Sequence, residues 1–81
     1  MTTKTTIEAR VKKIVAEKLE LTREVNPLAE IIVDLGADDL TMAEIIAALE
    51  EEFSLEIPEG DAKRIRTTND AITYVEMRVP R

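Results

Sequence analysis

Apolar residues recur at helical spacing in three stretches of this chain, and the stretch from Asp38 to Phe53 organises the rest. At about 100° per residue, Met42, Ile45, Ile46, Leu49 and Phe53 fall on one arc, which is expected to face the core. Leu40, Ala43, Glu44, Ala47 and Glu51 fall roughly opposite, so the outer face sets small apolar patches among carboxylates. The start of this helix is marked three times. Gly36 gives the backbone freedom to turn. Asp38 is placed to cap the helix, because its side-chain oxygen can accept from a first-turn amide. Asp39 then sits in the first turn, where the helix dipole favours a negative charge. No Pro or Gly interrupts the stretch, so a helix of about fifteen residues is predicted, ending near Phe53–Ser54.

Before it, Ile7, Val11, Ile14, Val15 and Leu19 repeat at helical spacing behind a capping-box pattern, Thr5-x-x-Glu8, and predict a first helix from about Thr6 to Glu20. Leu21 to Ala37 forms a long connection broken at Asn26-Pro27. Its Val25, Leu28, Ile31, Ile32 and Leu35 are too apolar for a free linker, so the connection should pack over the bundle, with a helical turn around Leu28 to Val33. After the second helix, Leu55-Glu56-Ile57-Pro58 should be extended, since a residue before Pro is pushed out of the helical region. A short helix is expected over Asp61 to Ile65. Thr67-x-x-Asp70 then has the form of a capping box with Asp in the acid position. It opens a last helix whose inner face is Ala71, Ile72, Val75 and Tyr74, ending before Pro80. Helices in this order make an all-α four-helix bundle with a long first loop and a short third helix.

At 81 residues the chain is read as one domain spanning 1–81. Charge changes the picture more than length does. The net charge is −6, which argues against nucleic acid as a partner. Glu24 to Ala62 contains no Lys or Arg, yet holds Glu24, Glu30, Asp34, Asp38, Asp39, Glu44, Glu50, Glu51, Glu52, Glu56, Glu59 and Asp61. The cations sit at the two ends: Lys4, Arg10, Lys12, Lys13, Lys18 and Arg23, then Lys63, Arg64, Arg66, Arg78 and Arg81. Such polarity bears on partners and steering, and a merely solvated acidic helix is the plain alternative. No apolar run could span a membrane and no signal-peptide pattern precedes the first helix, so a cytoplasmic monomer is expected.

Enzyme chemistry finds little to work with. There is no Cys and no His, which removes the usual nucleophile, base and zinc ligands. Asp38 and Asp39 are adjacent at a helix start, an arrangement that suits capping better than a shared proton. The spacing Asp34…Asp38-Asp39 lacks the ligand ladder and closing Glu of a calcium loop, so no structural metal site is expected. The chain reads as a non-enzyme.

Asp34-Leu35-Gly36-Ala37-Asp38-x-Leu40, followed by Ala48-Leu49-Glu50-Glu51-Glu52-Phe53 and Glu56-Ile57-Pro58, resembles the acyl carrier protein family. Thr6-Ile7-Glu8-Ala9-Arg10-Val11-Lys12-Lys13-Ile14 is similar to that family's opening helix, and Ala71-Ile72-Thr73-Tyr74-Val75 to its closing one. The resemblance implies a carrier of fatty acid or related lipid or polyketide synthesis. Such a carrier presents acyl intermediates as thioesters on a 4′-phosphopantetheine arm. In the family the residue between Asp38 and Leu40 is a Ser whose hydroxyl bears the arm; here it is Asp39. A carboxylate cannot take that role, so the resemblance implies a variant with no arm expected on Asp39. Its implied partner surface is Asp38, Leu40, Glu44, Ala47 and Glu51, facing basic surfaces of acyl-chain synthesis enzymes and of the phosphopantetheinyl transferase. Ile45, Ile46, Leu49 and Ile65 are candidates for lining an acyl cavity, or are ordinary core. Three origins for Asp39 stay open: an engineered block, a natural homologue that lost the arm, or a non-carrier interaction module using the same acidic helix. The breadth of the resemblance puts the last behind the other two.

Overall fold

Thr6 opens the first helix of the computed structural model, which describes residues 6–79. Its hydroxyl accepts from the Ala9 amide at 3.0 Å, satisfying one of the free donors of the first turn. Thr5, which the capping-box pattern singled out, lies outside the described residues, as do Lys4, Pro80 and Arg81. Four helices follow in order: α1 (Ile7–Leu19), α2 (Asp39–Phe53), α3 (Glu59–Ala62) and α4 (Thr68–Arg78). The fold is all-α, and α1 packs against both α2 and α4.

Two helices end on the same device without a glycine. Glu20 and Ser54 each adopt a left-handed conformation, with φ of 56° and 53°. The amide of Leu21 then reaches the carbonyl of Ala16 at 2.9 Å, and that of Leu55 reaches Glu50 at 3.1 Å. Each closes the exposed carbonyls of the last turn and turns a leucine back onto the core. At the other end of the fold, Thr67 and Asp70 form the expected capping box, with the Asp70 amide on the Thr67 hydroxyl at 3.0 Å.

The core is drawn from every segment. Val11, Ile14 and Val15 of α1 meet Ile45, Leu49 and Phe53 of α2 and Ala71, Ile72 and Val75 of α4. Val25, Ile31 and Ala37 are buried from the crossover, and Ile57 and Ile65 from either side of α3. Backbone bonds pin the crossover across the bundle: Ile31 N–H to Arg66 C=O at 2.8 Å, and Asn69 N–H to Pro27 C=O at 2.8 Å.

The crossover departs from expectation in two ways. Its helical turn runs from Glu30 to Gly36, later than Leu28 to Val33. The Asn26 side chain holds the Leu28 amide at 3.0 Å in a local turn, which delays the coil, and Asp34 then closes it by accepting from the Glu30 amide at 2.8 Å. Gly36 follows at φ 81°, the left-handed conformation that its lack of a side chain permits. The second departure is burial: Leu28 and Val33 are more than two-thirds exposed and Ile32 nearly half, so the loop packs through buried Val25 and Ile31, with Leu21 and Leu35 partly buried beside them. The third helix also starts early, at Glu59 in place of Asp61, because Pro58 presets the entry. Ile65 lies beyond it, drawn into the core.

Charge pairing leaves most of the acidic segment unmatched. Glu52 pairs with Arg10 at 2.8 Å, and Arg10 also lies over the Phe53 ring at 4.4 Å. Asp61 accepts from the Tyr74 hydroxyl at 2.7 Å and faces Arg78 at 3.4 Å. The other carboxylates between Glu24 and Ala62 make no ion pair among the described residues. Like charges then repel across a small bundle with little stability to spare. Moderate salt or millimolar divalent cations are expected to raise the Tm in a melting series; a Tm indifferent to both would contradict this picture.

Candidate functional site

The site is built at the N-terminus of α2. Asp38 is extended, with φ of −96°, and its Oδ1 accepts from the Thr41 amide at 2.7 Å. That backbone N–H holds the Asp38 carboxyl below its ordinary value of 3.8. The sign follows: the cap's contribution is complete above the ordinary value and is lost as pH falls through the lowered one. Asp38→Asn keeps a capping oxygen but cannot titrate. Its acid unfolding curve, measured against the parent's, should lack that component of pH dependence.

Asp39 is the first residue of α2 and is exposed. Unlike Asp38, its carboxylate makes no hydrogen bond or ion pair among the described residues. It borders a cleft of about 650 Å³ between α2, the crossover turn and α3. Met42, Ala43 and Ile46 form one wall, Ile32 and Val33 another, and Ala62 and Ile65 the third, with Glu30, Glu59, Lys63 and Arg66 among them. A mostly apolar cleft of this size with a few polar groups on it falls within the range of ligand sites.

The helix thus has three working sides, where periodicity alone suggested two. Ile45, Leu49 and Phe53 are buried; Met42 and Ile46, at the edge of that arc, are half-buried and look into the cleft. Leu40, Glu44, Ala47 and Glu51 lie on the opposite, exposed side, with Leu40 69% exposed. Of the four cavity candidates, Ile46 and Ile65 line the cleft. Ile45 and Leu49 have no exposure and belong to the core. Ala43, placed by periodicity on the outer face, lines the cleft instead. Met42 was legible as the edge of the α2 stripe. Lys63 and Arg66 were not, because their place depends on where α3 sits.

The residues present do not fit covalent attachment of a phosphopantetheine arm. Attachment needs a hydroxyl that attacks phosphorus, and an ionised carboxylate is an acceptor that repels phosphate oxygens. Thr41 has a hydroxyl but stands about 200° around the helix from Asp39. Ser54 is at the far end of α2.

Among the described residues, no helix is long and apolar enough to cross a membrane. No group of three or more acidic side chains there converges to hold a metal ion. Comparison with known proteins bears on the family. The family described as "Phosphopantetheine attachment site" matches residues 9–75. Among solved structures, the chain is similar to one described as an acyl carrier protein from Mycobacterium tuberculosis, at 29% identity and a TM-score of 0.84. The similarity covers 89% of this chain and 97% of that one. Proteins of this kind are carriers and not enzymes, and they work with the transferase and synthesis enzymes that handle the arm. This chain belongs to the phosphopantetheine attachment-site family, as an acyl carrier protein-like helical bundle.

Proposed function

We propose that this chain is a docking member of the family that carries no arm. It offers the acidic outer face of α2 to basic surfaces of acyl-chain synthesis enzymes. The observation that carries the reading is Asp39: the family's motif surrounds it on both sides, and the one residue that differs is the one whose oxygen would bear the arm. Attachment through a carboxylate would also give a labile acyl phosphate in place of a stable ester. On this reading, Ile46 and Ile65 line the cleft in which the family's acyl chain would lie, and nothing tethers a chain there.

The docking surface is Asp38, Leu40, Glu44, Ala47 and Glu51. Leu40 supplies the apolar contact at its centre, and Glu44 and Glu51 steer a basic partner during approach. The test is association with an acyl-carrier-dependent ketoacyl synthase at two salt concentrations. Charge reversal at Glu44 or Glu51 should slow association and flatten its salt dependence. Leu40→Ala should mainly speed dissociation, leaving folding unchanged because Leu40 points away from the core. The control is reversal of Glu76, which is exposed on α4. Glu8 is a poorer control, since it pairs with Lys12 at 2.8 Å. Equal effects from Glu76 and the α2 changes would reduce the result to net charge and end the docking reading.

A further inference from the structure

We infer that Asp39 makes this chain a permanent electrostatic copy of an arm-loaded carrier, so that it occupies the partners of loaded carriers without having an arm to deliver. The inference rests on the arm-less docking reading and extends it to which state of the carrier a partner perceives.

The carboxylates near the start of α2 differ in what they hold. Asp34 accepts from the Glu30 amide and Asp38 from the Thr41 amide, so both are engaged in holding the backbone. Asp39 has no such engagement among the described residues, although it stands at the first position of the helix and is exposed. A carboxylate that the dipole favours but that has no bonded partner among the described residues is available to a partner protein. Asp39 lies between the capping Asp38 and the exposed Leu40, at the rim of the apolar cleft; the resemblance to the carrier family puts the arm's phosphate at this residue.

The charges match as well. A serine hydroxyl at this place is neutral. Once it bears the arm, the phosphate is esterified on both sides and keeps a single ionisable oxygen, hence one negative charge. An aspartate carries one negative charge at neutral pH. The parent therefore matches the loaded state in charge and differs by one from the unloaded state. The match extends to the helix, because a negative group at the first turn is favoured by the dipole whether it is phosphate or carboxylate. The carboxylate sits one bond closer to the backbone than the phosphorus would, so a glutamate there would reach nearer to the phosphate position.

A basic partner surface that meets this end of α2 would be steered by Asp39 together with Glu44 and Glu51. With no thiol to receive or pass an acyl group, the docked chain would compete with loaded carriers and turn nothing over.

The experiment compares the parent with Asp39→Asn, Asp39→Glu and Asp39→Ser, the last before and after loading with the arm. The readout is association with the same ketoacyl synthase at low and moderate salt. The expected result is an association rate roughly threefold lower for Asp39→Asn and for unloaded Asp39→Ser, with weaker salt dependence. Asp39→Glu and loaded Asp39→Ser should associate like the parent. Asn is nearly isosteric at this exposed position, and Asp39→Glu keeps the charge, so a folding defect would not be mistaken for the effect. An Asp39→Asn rate equal to the parent's at low salt overturns the inference. If Glu44 and Glu51 reversals still slow binding in that case, the docking reading stands and the mimicry alone falls. If the parent does not bind the synthase at all, both fall.

Discussion

Leu49→Ala is expected to bring this protein close to unfolding at room temperature, while Leu40→Ala on the same helix leaves it folded. Leu49 has no exposure and belongs to the core on the side of α2 that packs against α1. Truncating a buried leucine loses its transfer free energy and leaves a cavity, together about 2–5 kcal/mol. An 81-residue domain has roughly 4–12 kcal/mol in all. At about 4–8 °C per kcal/mol for a domain of this size, the Tm should fall by some tens of degrees. Leu40 is largely exposed, so its truncation removes little buried area and should move the Tm hardly at all. Thermal or urea unfolding of the two variants separates the structural side of α2 from its outer side. Similar Tm values would mean that Leu49 faces the cleft after all and that the helix is rotated from the arrangement described here.

Much of this architecture is legible in the sequence, for identifiable reasons. The first and second helices have strong apolar periodicity, so their faces follow from local chemistry, though the first is capped by Thr6, one residue after the Thr5 that the capping-box pattern singled out. Asp38 and the Thr67–Asp70 pair are where capping rules place them, because a cap needs only neighbours in sequence. The exposed outer face of α2 follows from the same helical geometry.

The parts that were not legible depend on contacts between distant segments. The crossover turn forms at Glu30–Gly36 because Asp34 reaches back to the Glu30 amide and Ile31 bonds across to Arg66. Nothing in the apolar count of the loop distinguishes Ile31, which is buried, from Val33, which is exposed. Ile45 and Ile46 are neighbours on one predicted arc, yet one is core and the other lines the cleft. That division is made by α3, which stands beside Ile46 and Met42, and a single helix cannot report where another will stand. The same holds for Lys63 and Arg66, which reach the cleft through the placement of a four-residue helix.

The chemistry at Asp39 is different in kind, since it depends on the residue type and not on packing. On the proposed arm-less reading, restoring a hydroxyl with Asp39→Ser is expected to let the chain accept the arm, which is the largest functional change any single substitution should make here. The Asp38 cap and the exposed Leu40 flank that position, and on the docking reading they and the acidic outer face are what a transferase would engage. What the parent lacks is an uncharged nucleophilic oxygen at position 39. The measurement that tests this account most directly is intact mass after incubation with coenzyme A and a phosphopantetheinyl transferase, run on parent and variant side by side. The account predicts an unchanged mass for the parent and a gain of one phosphopantetheine for Asp39→Ser. A parent chain that gains the arm would contradict it outright, and a variant that stays unmodified would show that the surface around Asp39 no longer serves a transferase.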